Sequence, residues 1–327
     1  MRVLVTGGAG FVGVNFVRWT RQHRPEAELV VLDALTYAGN RASVPAGVQL
    51  VHGDVTDAAL VGRLVEGCDV VVHFAAESHN DNALRDPAPF VTTNVVGTFT
   101  LLEAVRRSGV RLHHVTTDEV YGDLPYDPDL RFDESSAYDP SSPYSASKAG
   151  SDLLVRAWVR SYGIAATITA CSNNYGPYQH VEKLIPRQIT TVLDGGRPRL
   201  YGTGDNVRDW IHVEDHSSAV WAVLDRGEPG RTYLVGADGE RSNREVVELL
   251  LELMGRPAGA YDLVADRPGH DRRYALDSSR LRGLGWQPRH ASFRDGLAET
   301  IRWYREHESW WRPAKAETER RYADLGR

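Results

Sequence analysis

Cysteine is scarce in this chain: 327 residues hold two, Cys68 and Cys171. Each sits in an apolar neighbourhood, which favours two reduced, buried thiols over a disulfide or a cysteine-bound metal. An excess of one charge is also missing. The 38 Lys and Arg against 44 Asp and Glu leave a formal net charge of -6. That gives no electrostatic footprint for nucleic acid, although local arginines can still hold an anionic small ligand. No run reads as long and apolar enough to span a membrane. MRVLVTGG enters a strand pattern at once and offers no signal peptide, so the expectation is a cytoplasmic protein. Internal repeats and low-complexity tracts are absent, and the histidines lack metal-ligand spacing, so no metal is expected. What remains is an ordinary globular composition, 42% apolar and 25% charged, on a chain long enough for a sizeable core.

The first half alternates short β-branched runs with amphipathic stretches. RVLVTG (2–7), ELVVLD (28–33), VQLVHGD (48–54), DVVVHFAA (69–76), LHHVTTD (112–118) and AATITACS (165–172) read as buried strands. Helical patterns such as GFVGVNFVRWTRQH and VTTNVVGTFTLLEAVRRSG lie between them. This rhythm predicts a doubly wound parallel sheet with helices on both faces. It breaks after about residue 176. A smaller C-terminal α/β unit is expected over 176–327, packed on a first unit of 1–175, with a segment near 209–225 returning to the first. NREVVELLLELMG and FRDGLAETIRWYREH are its clearest helices, and the tryptophans of WYREHESWW read as helix packing or tail.

The first strand runs into GGAGFVG, spacing its glycines as Gly7-x-x-Gly10-x-x-Gly13. Glycines after a strand permit a tight turn and close approach of backbone to a pyrophosphate. The helix that follows offers free N–H groups and a positive dipole end. The spacing differs by one residue from the GxGxxG fingerprint and alone is a weak signal. Asp33, at the end of the second strand, stands where a carboxylate would hold a ribose 2′-hydroxyl, and an acid there favours NAD over NADP. Asp54, at the end of the third, is placed to meet adenine.

The fifth strand ends in TTDEVYG, two carboxylates behind a threonine. Downstream, SSPYSASK places Tyr144 and Lys148 four apart on one helix face. A free phenol titrates near ~10, and a neighbouring ammonium lowers that value toward a usable base. Thr117 could share the same reacting oxygen. Together with AAESH and CSNNYGPYQ, these motifs resemble the extended short-chain dehydrogenase/reductase family, and more narrowly the dTDP-glucose 4,6-dehydratases. The likeness runs nearly the whole length and includes VRDWIHVEDH and DRPGHDRRY.

The resemblance implies a Rossmann-type fold and a retained NAD. The cofactor residues it implies are Gly7, Gly10, Phe11, Val12, Gly13, Asp33, Ala34, Thr36, Asp54, Val55, Ala75, Ala76, Ser78, Thr93, Tyr144, Lys148 and Asn173. A nucleotide-sugar substrate would meet Ser78, Thr117, Asn174, Lys183, Leu184, Tyr201, Arg208, Arg267 and His270. Thr117, Tyr144 and Lys148 would serve oxidation at C4, Glu119 would take the C5 proton, and Asp118 would protonate the departing C6 hydroxyl. For that last role the Asp118 carboxyl must be held above its ordinary range, by burial and its neighbour. Helices near 91–107 and 144–161 would build a four-helix bundle in a homodimer. The chain departs from the resembled pattern at Asn80, Asn82, Ala83, Ala170 and Val181. A UDP-glucuronate decarboxylase, another nucleotide-sugar dehydratase or epimerase, and a non-catalytic NAD-binding regulator remain open as alternatives.

Overall fold

The computed structural model describes residues 1–266, 269–290 and 292–324. Seven parallel strands form the main sheet: β1 Arg2–Thr6, β2 Glu28–Asp33, β3 Gln49–His52, β4 Val70–His73, β5 Arg111–Thr117, β6 Ala166–Cys171 and β10 Thr232–Val235. Their order is β10-β6-β5-β4-β1-β2-β3. Six of them are the apolar runs read from sequence. The seventh, TYLV, was not assigned to this sheet, and it pairs with β6 in register Thr232↔Ile168.

Alternate residues of one strand feed different cores. Leu4 joins Val30, Leu32, Val71 and Leu112 beneath helices Ala58–Val65 and Thr98–Ser108. Val3 and Val5 join Val31, Val70 and Val72 on the opposite face, under Phe16 and Val17 of helix Phe11–His23. That second face is completed by Val220, Trp221 and Leu224 from helix Val213–Arg226. The period-two side-chain alternation of a strand explains why β1, β2 and β4 are largely apolar, since both faces are covered, whereas β3, expected to be buried, is an edge strand whose residues are exposed or half-buried. Strand order reverses between β1 and β4, and such a switch point opens a crevice at the carboxyl ends of the strands.

A second core gathers Tyr175, Ile185, Ile189, Trp210, Val247, Leu250, Leu297 and Trp311. Around it lie a three-stranded sheet of β7 Asn173–Tyr175, β9 Val207–His212 and β11 Glu240–Ser242, and the pair β8 Arg199–Tyr201 with β12 Asp262–Val264. Trp311 is buried within this core, as the packing reading of WYREHESWW expects.

One expectation needs correction. Ala88–Ser108 is a continuous helical stretch of 21 residues containing an 18-residue window of mean hydropathy 1.2, long and apolar enough to cross a membrane by length and composition. Half of that window is buried inside the fold, so part of its apolar content is core packing, while Val91, Val96 and Phe99 are exposed. The stretch contains a π-helical segment, Val91–Gly97, in which Asn94 is buried. Its side chain donates to Ser147 Oγ at 2.8 Å and to the Glu77 carbonyl at 3.0 Å.

Candidate active site

The glycine loop is built by close contact. Gly7 has φ +70°, and a Cβ there would lie 2.6 Å from the Ala75 amide nitrogen. A Cβ on Gly13 would lie 2.2 Å from the Gly7 carbonyl oxygen. Only glycine lets the loop, the following helix and the end of β4 approach this closely. Gly10 caps helix Phe11–His23 without a side-chain hydrogen bond, leaving the first N–H groups to face the crevice. Asp33 does more than the sequence reading asked of it. Its Oδ2 accepts from the Ala9 amide and its Oδ1 from the Leu35 amide, each at 2.8 Å. The carboxylate therefore braces the glycine loop, and its remaining lone pairs face the cleft.

Two adjoining cavities occupy the crevice. The first is lined by all seventeen residues expected to hold a dinucleotide, from Gly7 through Asn173. The second is lined by Ser78, Asn174, Lys183, Leu184, Tyr201, Arg208 and His270. Thr117 lines the first cavity alone, and Arg267 lies outside the described residues. The cavities share Ser78, Glu119, Asn173, Asn174, Gln179, Glu182 and Lys183, so they are continuous at Glu119. The sequence reading did not assign Gln179, Glu182, Arg187 or Tyr274 to the site, although Gln179 closes CSNNYGPYQ and Tyr274 closes DRPGHDRRY. Several expected contacts are partly engaged within the chain. Arg208 donates to the carbonyls of Val207 and Asp271 and stacks over Tyr274 at 4.3 Å. Lys183 Nζ donates to the Ser78 carbonyl at 2.7 Å, and the Tyr201 hydroxyl donates to Asp81 at 3.2 Å. Asn82 donates to the Tyr37 hydroxyl at 3.1 Å, and Tyr37 in turn donates to Glu182.

At the junction stands the end of β5. Asp118 is fully buried. Its Oδ1 accepts from Thr117 Oγ1 at 3.2 Å, while its Oδ2 is buried without a partner. Burial holds the carboxyl well above its ordinary value, with Glu119 and then Asp209 adding to the effect. The Arg208 guanidinium and the Thr117 hydrogen bond oppose it. The balance pushes the Asp118 carboxyl toward its protonated form, the state a general acid needs. An O–H on Oδ2 would have no partner within the protein and would seek one in the cleft.

The oxidation pair differs from the sequence expectation. Lys148 is fully buried and donates to the Val115 carbonyl at 2.9 Å. Burial lowers its ammonium value, against the pull of Asp152. Tyr144 is pushed well above the usual phenol range, by burial first and by Glu119 second, and a hydrogen bond with Thr117 opposes this. Burial is the largest influence on the phenol, and the nearby Glu119 carboxylate acts in the same direction. Asn173 Oδ1, on the cavity wall, is a buried acceptor without a partner and fits an amide-bearing ring.

The fold also gathers His212, Glu214 and His290, whose ligand atoms lie within 4.8 Å of one another, a grouping that sequence spacing did not show. The two imidazoles stack at 3.8 Å and 27°, which sends their lone pairs along near-parallel planes. His290 is paired with Asp215 at 3.2 Å, and this reads as an ion pair beneath helix Val213–Arg226.

A family model described as GDP-mannose 4,6 dehydratase matches residues 4–300. The chain belongs to that dehydratase family. Among curated members, a dTDP-glucose 4,6-dehydratase of Mycobacterium tuberculosis (strain CDC 1551 / Oshkosh) is 63% identical, with all of both chains covered. Among solved structures, a dTDP-glucose 4,6-dehydratase of Streptomyces venezuelae with NAD and dTDP bound superposes with a TM-score of 0.92. It is 50% identical over 96% of this chain and 100% of that one. A UDP-glucose 4-epimerase of Thermus thermophilus complexed with NAD superposes at 0.87, with 31% identity over 94% of this chain and 100% of that one. Both solved structures thus share this chain's fold.

Proposed function

We propose that the chain converts dTDP-glucose to dTDP-4-keto-6-deoxyglucose with a retained NAD. The observation that carries this is the end of β5. Glu119 stands where the two cavities meet, and the adjacent Asp118, buried in the wall of the first cavity beside Tyr144, has its carboxyl pushed toward the protonated form. The 63% identical curated relative and the Streptomyces venezuelae neighbour, both dTDP-glucose 4,6-dehydratases, support dTDP-glucose as the substrate.

The cleft fits the cofactor: its loop admits no side chain at Gly7 or Gly13, and Asn173 offers an unused buried acceptor. The residues lining the first cavity would hold NAD, which when bound accepts hydride from C4 and returns it to C6. The chain's own groups do the rest. Tyr144, with Thr117 beside it, takes the proton of the C4 hydroxyl as that carbon is oxidised. The 4-ketone acidifies the neighbouring C5 hydrogen, and Glu119 removes it. Asp118 passes its proton to the C6 oxygen, so the C6–O bond breaks with water leaving rather than hydroxide, and after hydride return to C6 a proton is delivered back to C5 from Glu119. Decarboxylation would not need this acid. Epimerisation would not need either carboxylate.

The face outside the sheet supports a homodimer. Phe99 and Leu153 are 45% and 56% exposed, on helices Thr98–Ser108 and Pro143–Tyr162, with Val91, Val96 and Tyr162 nearby. A second copy laid on this pair would complete a four-helix bundle. Two free thiols accord with a reducing, cytoplasmic setting. The division into a cofactor unit, 1–175 with helix Val213–Arg226, and a substrate unit is part of the same reading. Incubating the purified protein with dTDP-glucose, UDP-glucose and UDP-glucuronate, without added cofactor, tests it. Loss of water from dTDP-glucose by mass spectrometry is expected. Loss of carbon dioxide from UDP-glucuronate would overturn the assignment.

A further inference from the structure

Asn80 is one of the departures from the resembled pattern, and the chemistry above does not call on it. It opens the short helix Asn80–Arg85 and lines the sugar-side cavity. Its Nδ2 donates to Glu119 Oε2 at 2.9 Å, and its Oδ1 accepts from Ser142 Oγ at 2.9 Å. An ionised carboxylate can only accept, so Glu119 dictates which end of the amide faces it. Ser142 is the N-cap of helix Pro143–Tyr162 and shares a capping box with Ser145. Tyr144 stands in the first turn of the same helix. One amide therefore links the carboxylate of the elimination to the helix start that carries the phenol of the oxidation. An apolar residue at this place could make neither bond.

Glu119 is only partly buried. A glutamate without a fixed partner loses much rotamer freedom when it must face one atom. We propose that Asn80 is a positioning residue for proton abstraction. It holds Glu119 in one rotamer, in register with Tyr144, so that the carboxylate meets C5 once C4 is a ketone. This assignment rests on the dehydratase reading above.

Asn80→Val and Asn80→Asp test it in the full chain with its own cofactor. Single turnovers of dTDP-glucose in deuterated water separate three signals: absorbance of the reduced nicotinamide, deuterium entering C5, and water loss. In Asn80→Val, oxidation should keep its parental rate while deuterium entry at C5 slows about tenfold, the scale of one charge-assisted hydrogen bond. KM should stay within about twofold, because ground-state binding is untouched. Asn80→Asp keeps the shape but sets a carboxylate against a carboxylate. It should be slower still, about a hundredfold. A packing role predicts the reverse: the near-isosteric Asp tolerated, and Val slowing both steps alike. That pattern, or parental C5 exchange in both variants, overturns the assignment. A parent protein inert toward dTDP-glucose overturns the dehydratase reading itself, and Asn80's role with it.

Discussion

Replacing Asp118 by Asn keeps the side chain's shape and removes the proton it donates. Thr117 Oγ1 can still donate to Oδ1, as it does at 3.2 Å in the parent. The orphaned Oδ2 becomes an NH2 that can hydrogen-bond but cannot protonate a leaving group. A positioned general acid contributes roughly 10²–10⁴-fold, or about 3–5 kcal/mol at about 1.4 per decade. Oxidation at C4 does not use Asp118. Single turnover should therefore show reduced nicotinamide rising at the parental rate and persisting, while water loss falls by that factor. Stability carries a second signature. Burial raises the Asp118 carboxyl in the folded state above its unfolded value of about 3.9. The folded protein therefore holds the proton more tightly, and parental stability falls as pH rises through the folded value. Asn has nothing to ionise, so the variant should gain stability relative to the parent with increasing pH in denaturant titrations. Parental product formation, or no accumulation of reduced nicotinamide, would refute the assignment of Asp118 as the acid.

Other substitutions probe separate parts of the account. Tyr144→Phe should abolish the first oxidation, by about 10²–10⁴-fold, with no transient of reduced nicotinamide. Gly13→Ala forces a Cβ to within 2.2 Å of the Gly7 carbonyl oxygen. It should cost about 1–3 kcal/mol in urea titrations and release NAD on purification. Phe99→Glu places a charge in the exposed apolar face and should shift the protein to monomer in light scattering. The Asp215 hydrogen bond raises the His290 value above its ordinary one, so its stabilisation is present at pH below about 6.5 and is lost as pH rises through the folded value. His290→Gln should thus lower stability near pH 6, by about 1 kcal/mol at most, and leave it unchanged near pH 9.

Six strands were legible because each is a short run rich in β-branched or aliphatic residues, although β3 proved to be a half-exposed edge strand and not a buried one. TYLV was not, because its place beside β6 is set by a crossover that no local pattern records. The glycine loop and the TTDEVYG, YSASK and NNYG motifs were readable as chemistry. Their electrostatics were not. Asp209 reaches Asp118 from β9, far along the chain, and the burial that raises both Asp118 and Tyr144 exists only after packing. The engagement of Asn80 with Glu119 and Ser142 joins three distant segments, and in sequence it showed only as a departure.

The central claim is that one cleft oxidises C4, expels water across C5 and C6, and reduces C6 with the same hydrogen. Supplying dTDP-glucose deuterated at C4 and locating the label in the product by NMR tests it most directly. The account predicts deuterium on C6 of a product lighter by one water. Deuterium remaining at C4, or lost to solvent, would contradict it.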